Sequence, residues 1–173
     1  MGSGISSSYS GTEGSSQPYA ETYHVVGKMM DDDKKDPNVY GKTTGYFKNP
    51  TATTLEDATV GNRIKVAGKD ANGPMTYVMD KDGNIIVGKR VNPNDGSNHA
   101  PHPTLIGGKD PEVQCAGMLT FKGGKISKVD NQSGHFRPNA QSMDKVNAAL
   151  QDLCNINPNL FTKDSVWRKN YGK

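Results

Sequence analysis

The sequence predicts an α+β fold: an antiparallel sheet of about five strands, flanked by an N-terminal and a C-terminal helix and preceded by a flexible Ser/Gly-rich arm. Three observations carry this. From residue 63 the period switches to two, and 63–67, 74–79 and 84–90 read as strands. The runs 113–121 and 125–130 are continuously or alternately apolar. Met143, Val146, Leu150 and Leu153 recur at helical spacing.

The arm, residues 1–16, reads MGSGISSSYSGTEGSS. Its near lack of apolar side chains leaves nothing to offset the entropy of ordering, so flexibility is expected. Gly2 and Ser6 fit a myristoylation pattern, but a Ser/Gly tail meets that pattern by chance, and one acyl chain without a polybasic patch holds a membrane weakly. Residues 17–173 are assigned to a single α+β domain.

A helix is expected from Pro18, the favoured first helical position, with Tyr19, Tyr23, Val26 and Met30 on its apolar face. His24 falls beside that face, as a surface histidine. The charge run DDDKKDP, closed by Pro37, reads as a solvated helix end, and its acids oppose the macrodipole. Thr53 and Glu56 have capping-box spacing for a short second helix stopped by Gly61. The DKDG at 80–83 predicts a hairpin turn between strands. It is not read as a calcium loop, because Val78 and Lys89 stand where that loop needs acids. Gly123-Gly124 joins the last two strands. A C-terminal helix is expected over 141–154, capped by Ser142 or Asn139. Leu160, Phe161 and Trp167 follow, with the tryptophan as a lid on the core.

Composition limits the function classes. Hydrophobic residues make up 32% of the 173, with 20 Gly and 10 Pro, so the core is compact and much of the chain is loop. A net charge of +3 is too mild to imply nucleic-acid binding by itself. No apolar run approaches the roughly 18 residues of a membrane span, and no secretory signal is visible. The expected location is therefore cytoplasmic, a non-Sec delivery route, or a phage particle. Cys115 and Cys154 are too few for a disulfide framework and are read as small buried hydrophobes, with a mutual disulfide or a reactive thiol as the alternatives. Neither has zinc-ligand spacing.

Two histidine-bearing loops carry the candidate chemistry. In SGHFRP, Ser133, His135 and Arg137 are spaced by two, which in extended backbone puts them on one face. An imidazole beside a guanidinium suits an anion: the arginine holds charge and the histidine moves a proton. Ser133 is placed to support the imidazole or act as a nucleophile. In HPTLIGG, His102 and Thr104 repeat the spacing, and Gly107 and Gly108 allow close backbone approach to a ligand. The preceding NPNDGSN is a loop able to cover a site. The hairpin between the loops returns the chain near its start, so both histidines are expected at one sheet end. Asp130 is near in sequence, but nothing in the sequence orients it as the acid of a triad. The bland alternative is that both stretches are only turns.

Segment 102–138 resembles a family pattern: His-x-Ser/Thr-Leu/Phe-x-x-Gly, here His102 to Gly108; Ala-Gly-x-Leu/Ile, here Ala116 to Leu119; and Ser-Gly-His-Tyr/Phe-x-Pro, here Ser133 to Pro138. The pattern looks like one in C-terminal cassettes of bacterial polymorphic toxins and effectors, and in plant IQ-motif calmodulin-binding proteins. The first 100 residues look similar to gut-bacterial or phage-encoded proteins. No IQ motif is present, so calmodulin binding does not carry over. The resemblance implies that His102, Thr104, Ser133, His135 and Pro138 occupy motif positions; it names no reaction.

The expected function is thus a toxin- or effector-like catalytic domain with a two-histidine site cleaving RNA without metal or cofactor, with an immunity or inhibitor protein among its expected partners. One alternative is ADP-ribosyl transfer from NAD, for which Glu112 and the aspartates near it are the acidic candidates. The other is a non-enzymatic phage or bacterial structural or binding module.

Overall fold

The computed structural model describes residues 16–90 and 100–171. The expectations for the arm up to residue 15, for Gly2 and for the covering loop 92–98 lie outside those residues.

In chain order the elements are β1 (Tyr23–His24), α1 (Gly27–Asp33), β2 (Tyr40–Gly41), β3 (Gly45–Tyr46), β4 (Thr53–Thr54), α2 (Leu55–Ala58), β5 (Thr59–Val60), β6 (Arg63–Val66), β7 (Lys69–Asp70), β8 (Gly73–Met79), β9 (Ile85–Gly88), β10 (Glu112–Val113), β11 (Cys115–Lys122), β12 (Lys125–Val129), α3 (Met143–Ile156) and α4 (Val166–Lys169). The principal sheet is antiparallel and five-stranded, in the order β12-β11-β8-β9-β4. The fold is mixed α and β, as the patterning predicts.

The membership of that sheet differs in one strand. Residues 63–66 pair instead with their own neighbours, β5 and β7. Gly61 at φ 62, then Ala67 and Gly68 at φ 53 and 80, turn the chain back on both sides of β6. That makes a separate three-stranded ribbon, and β4 takes the fifth place through Thr53 opposite Val87. The capping residue is also shifted: Thr54, not Thr53, accepts the N–H of Asp57. At 80–83 the turn forms as expected, with Asp80 Oδ1 accepting the N–H groups of Asp82 and Asn84 at 2.9 Å each.

The N-terminal helix begins at Gly27, not Pro18. Residues 23–24 are extended and pair with β10, Tyr23 opposite Val113. Val26 is extended too, and its N–H donates to the carbonyl of His135 at 2.8 Å. Local helical spacing is a weak preference, and these long-range pairings override it.

Alternation along β8 and β11 sorts side chains onto two faces. Met75, Tyr77, Met79, Cys115, Leu119 and Phe121 point to the side covered by α3, where Val146, Leu150 and Cys154 are buried. Val78 and Ala116 point to the opposite side, against Tyr23, Tyr46, Leu105 and Phe136. The second side carries both histidine loops, since Leu105 and Phe136 are their anchors in the core.

Trp167 is buried against Phe161, ring centroids 5.5 Å apart, and closes the α3 side. Phe161 forms a parallel bridge to Ile126, and the Thr162 N–H donates to the Ile126 carbonyl at 2.9 Å. Cys115 and Cys154 are buried free thiols. Among the described residues, no helix is long and apolar enough to cross a membrane.

Candidate functional site

Neither histidine loop is extended. Residues 102–105 form one 3-10 turn, and the Arg137 N–H closes a turn onto the Ser133 carbonyl at 2.7 Å. The shared-face argument from i, i+2 spacing therefore does not apply, and each side chain is placed by its own contacts.

His102 is buried, and its Nε2 lies 2.7 Å from the Gly117 carbonyl. A carbonyl only accepts, so Nε2 carries the proton and the lone pair is on Nδ1. Burial pushes the imidazole down to about 4; the bond to the Gly117 carbonyl opposes this, and the proximity of His135 and Arg90 adds to it. His102 is thus neutral near pH 7. Gly117 lies where two chain segments come close: a Cβ there would sit 2.0 Å from the Asp130 carbonyl oxygen. Thr104 is buried with its hydroxyl on the Pro101 carbonyl at 2.6 Å.

His135 is held by a group from elsewhere in the chain. Its Nε2 lies 2.9 Å from Asp33 Oδ2, and the two side chains are 12% and 4% exposed. Tyr46 donates its hydroxyl to the same oxygen at 2.5 Å. Burial first, then the hydrogen bond to Asp33, raises the Tyr46 hydroxyl far above the usual tyrosine range, so it stays a donor. A carboxylate oxygen there accepts, so Nε2 is the donor to Asp33 and Nδ1 is the ring nitrogen turned away from it. Among the described residues no hydrogen bond is made to Nδ1. An imidazole with one nitrogen on a carboxylate and the other open is a proton-transfer arrangement.

The remaining expected groups have other employment. Ser133 Oγ accepts the Phe136 N–H at 3.2 Å and does not support an imidazole. Arg137 sits at φ 44 and donates Nε to the Gly134 carbonyl at 3.0 Å, which leaves its terminal nitrogens free of protein partners among the described residues. Asp130 Oδ1 accepts the N–H groups of Met118 and Gln132, so it serves the backbone and not a histidine. Gly107 and Gly108, at φ 80 and 90, turn the loop back so that Gly108 exchanges two backbone bonds with Tyr46, at 2.8 and 3.0 Å. They also line a 510 Å³ hollow with Lys48, Lys109 and Glu112.

Asp33 and Tyr46 are the residues that sequence reasoning missed. The charge run reads as solvated, yet Asp33 is 3% exposed. A signal existed: Asp33 falls three residues after Met30 and seven after Val26, on the apolar face of the helix. His24 is exposed and meets Asp110 at 3.0 Å. No cluster of three or more metal-ligating side chains occurs among the described residues.

No family model, curated protein or solved structure matches the chain.

Proposed function

We propose that this chain is an acid–base catalytic domain of the toxin or effector kind that cleaves RNA, with His135 as the proton-transfer group, Asp33 orienting it and Tyr46 fixing Asp33. The observation that carries this is the 2.9 Å contact of His135 Nε2 with a buried carboxylate, with Nδ1 left open. The neutral state of His102 removes it as a resting general acid near pH 7 and leaves one shuttle in place of two histidines. His135 Nδ1 takes the proton of a ribose 2′-hydroxyl, whose oxygen attacks phosphorus. A 2′,3′-cyclic phosphate forms, and the 5′-oxygen leaves with the proton returned by the imidazolium. Asp33 stabilises that imidazolium, and Arg137 offers its terminal nitrogens to the phosphoryl oxygens.

Transfer from NAD has less support. Glu112, its acidic candidate, bonds Thr22 and faces His24 and Lys81. The hollow that Glu112 lines contains neither His102 nor His135. The structural or binding module is favoured by one observation: the 133–139 loop is pinned through Val26, Gln17 and Tyr23, as a purely structural turn would be.

The deciding experiment is incubation of labelled RNA with wild type and His135→Gln in EDTA, with labelled NAD run in parallel. Wild-type cleavage, reduced about 10²–10⁴-fold in the variant, supports the proposal. Label transfer from NAD promotes the second reading. A folded wild type inert in both is a binding or structural module.

A further inference from the structure

We infer that the hollow bounded by Lys34, Tyr40, Lys42 and Lys109 is a phosphate subsite seating the backbone of single-stranded nucleic acid, an assignment that deepens the RNA-cleaving reading and rests on it. The hollow measures about 430 Å³, and no carboxylate lines it. Asp31 and Asp32 are exposed in the preceding turn but do not border it. Among the described residues, none of the three ammonium groups has an ion-pair partner. Three like charges around one cavity repel until an anion occupies it.

The fold brings these lysines together by specific means. Lys34 ends α1, its N–H on the Met30 carbonyl, and its ammonium lies 5.9 Å from the Tyr40 ring centre. Lys42 follows Tyr40 on the β2–β3 hairpin. Lys109 arrives because that hairpin presses against Gly108: a Cβ on Gly45 would stand 2.3 Å from the Gly108 carbonyl carbon and 2.4 Å from the Lys109 nitrogen. Tyr40 gives the cations an aromatic wall, the combination used by sites that hold single strands without reading sequence.

One lining residue of the hollow packs on the residues that hold His135. Tyr40 meets Tyr46 edge to face at 5.1 Å, and Tyr46 holds Asp33, the residue before Lys34. The hollow is thus linked through Tyr40 and Tyr46 to the carboxylate that orients the imidazole.

The test is fluorescence anisotropy of a labelled oligouridylate across a salt series, in a His135→Gln background that prevents turnover. Lys42→Ala with Lys109→Ala is compared with the parent. Both lysines are exposed, and an unchanged melting temperature verifies the fold. The double variant should bind at least about tenfold more weakly at low salt, and the slope of log affinity on log salt should fall by about 1.4, or about 0.7 per phosphate contact. Inorganic pyrophosphate should compete with the parent's binding. Equal affinity in the two proteins overturns the subsite. So does the absence of binding, or competition by oligoglutamate equal to that of unlabelled oligouridylate. The two proposals fail separately: lysine-dependent binding by a wild type that cleaves nothing removes the catalytic reading and keeps the subsite, while cleavage with KM unchanged in the lysine variant does the reverse.

Discussion

Tyr46 and His135 share one acceptor atom, Asp33 Oδ2, at 2.5 and 2.9 Å. The Asp33 side chain is 4% exposed, so it is satisfied by these donors and not by bulk water. Replacing Tyr46 by Phe removes one donor from a buried charge and should cost about 1–3 kcal/mol. Asp33→Asn should keep the shape but offer an amide to Nε2, loosening control of the tautomer, so RNA cleavage should fall about 10²-fold or more. Urea titrations and initial rates on the two variants check this; a wild-type rate in Asp33→Asn would remove its orienting role.

Stability should fall with acid, and His102 should cause part of it. Its value is 6.5 when unfolded and about 4 when folded. Between those limits the unfolded chain binds a proton that the folded chain refuses, so stability is complete above about pH 6.5 and is lost as pH falls toward 4. The shift corresponds to on the order of 3 kcal/mol. His102→Gln, which can still donate to Gly117, should flatten that segment of the pH–stability curve. Identical slopes in the two proteins would contradict the assignment.

Leu150 is fully buried between α3 and the sheet. Leu150→Ala should destabilise by about 2–5 kcal/mol, read from the denaturation midpoint. A midpoint equal to wild type would show the helix packed on another face.

Two glycines with similar backbone should behave differently. Gly61, at φ 62, has nothing within 4 Å of an added Cβ, so Gly61→Ala should cost only the left-handed strain, about 1–2 kcal/mol. Gly45, at φ 79, meets Gly108 backbone at 2.3 Å, so Gly45→Ala must also break the Tyr46–Gly108 pairing. It should cost clearly more than Gly61→Ala, and it should weaken oligouridylate binding by displacing Lys109.

Both thiols are buried, and burial pushes Cys115 up to about 11. Neither should react with a thiol reagent in the folded protein at neutral pH, and both should react in denaturant. Prompt labelling of the native protein would show that the core opens.

The sheet and α3 were legible because their signals are local. Strands 73–79, 85–88, 115–122 and 125–129 are apolar runs bounded by turn residues, and α3 repeats its face three times. The N-terminal region was not legible. Tyr19, Tyr23, Val26 and Met30 have helical spacing, but Tyr23 is claimed by Val113 and its hydroxyl by Ser142 at 2.7 Å. The site was legible in part for the same reason. His135 could be nominated from its loop, whereas Asp33 reaches it across 102 positions. An acid in a run of acids gives no sign of which one turns inward, beyond its place on a helix face.

The bridge from Ile126 to Phe161 lies on β12, at the end of the strand order. An open sheet border offers unpaired N–H and C=O groups to any passing strand, including one from another copy. The segment after α3 occupies part of that border, through the Thr162 N–H and the Ile126 carbonyl. A chain cut short before Phe161 would lose that seal along with the Trp167 side chain, and self-association through the bared border is its expected fate.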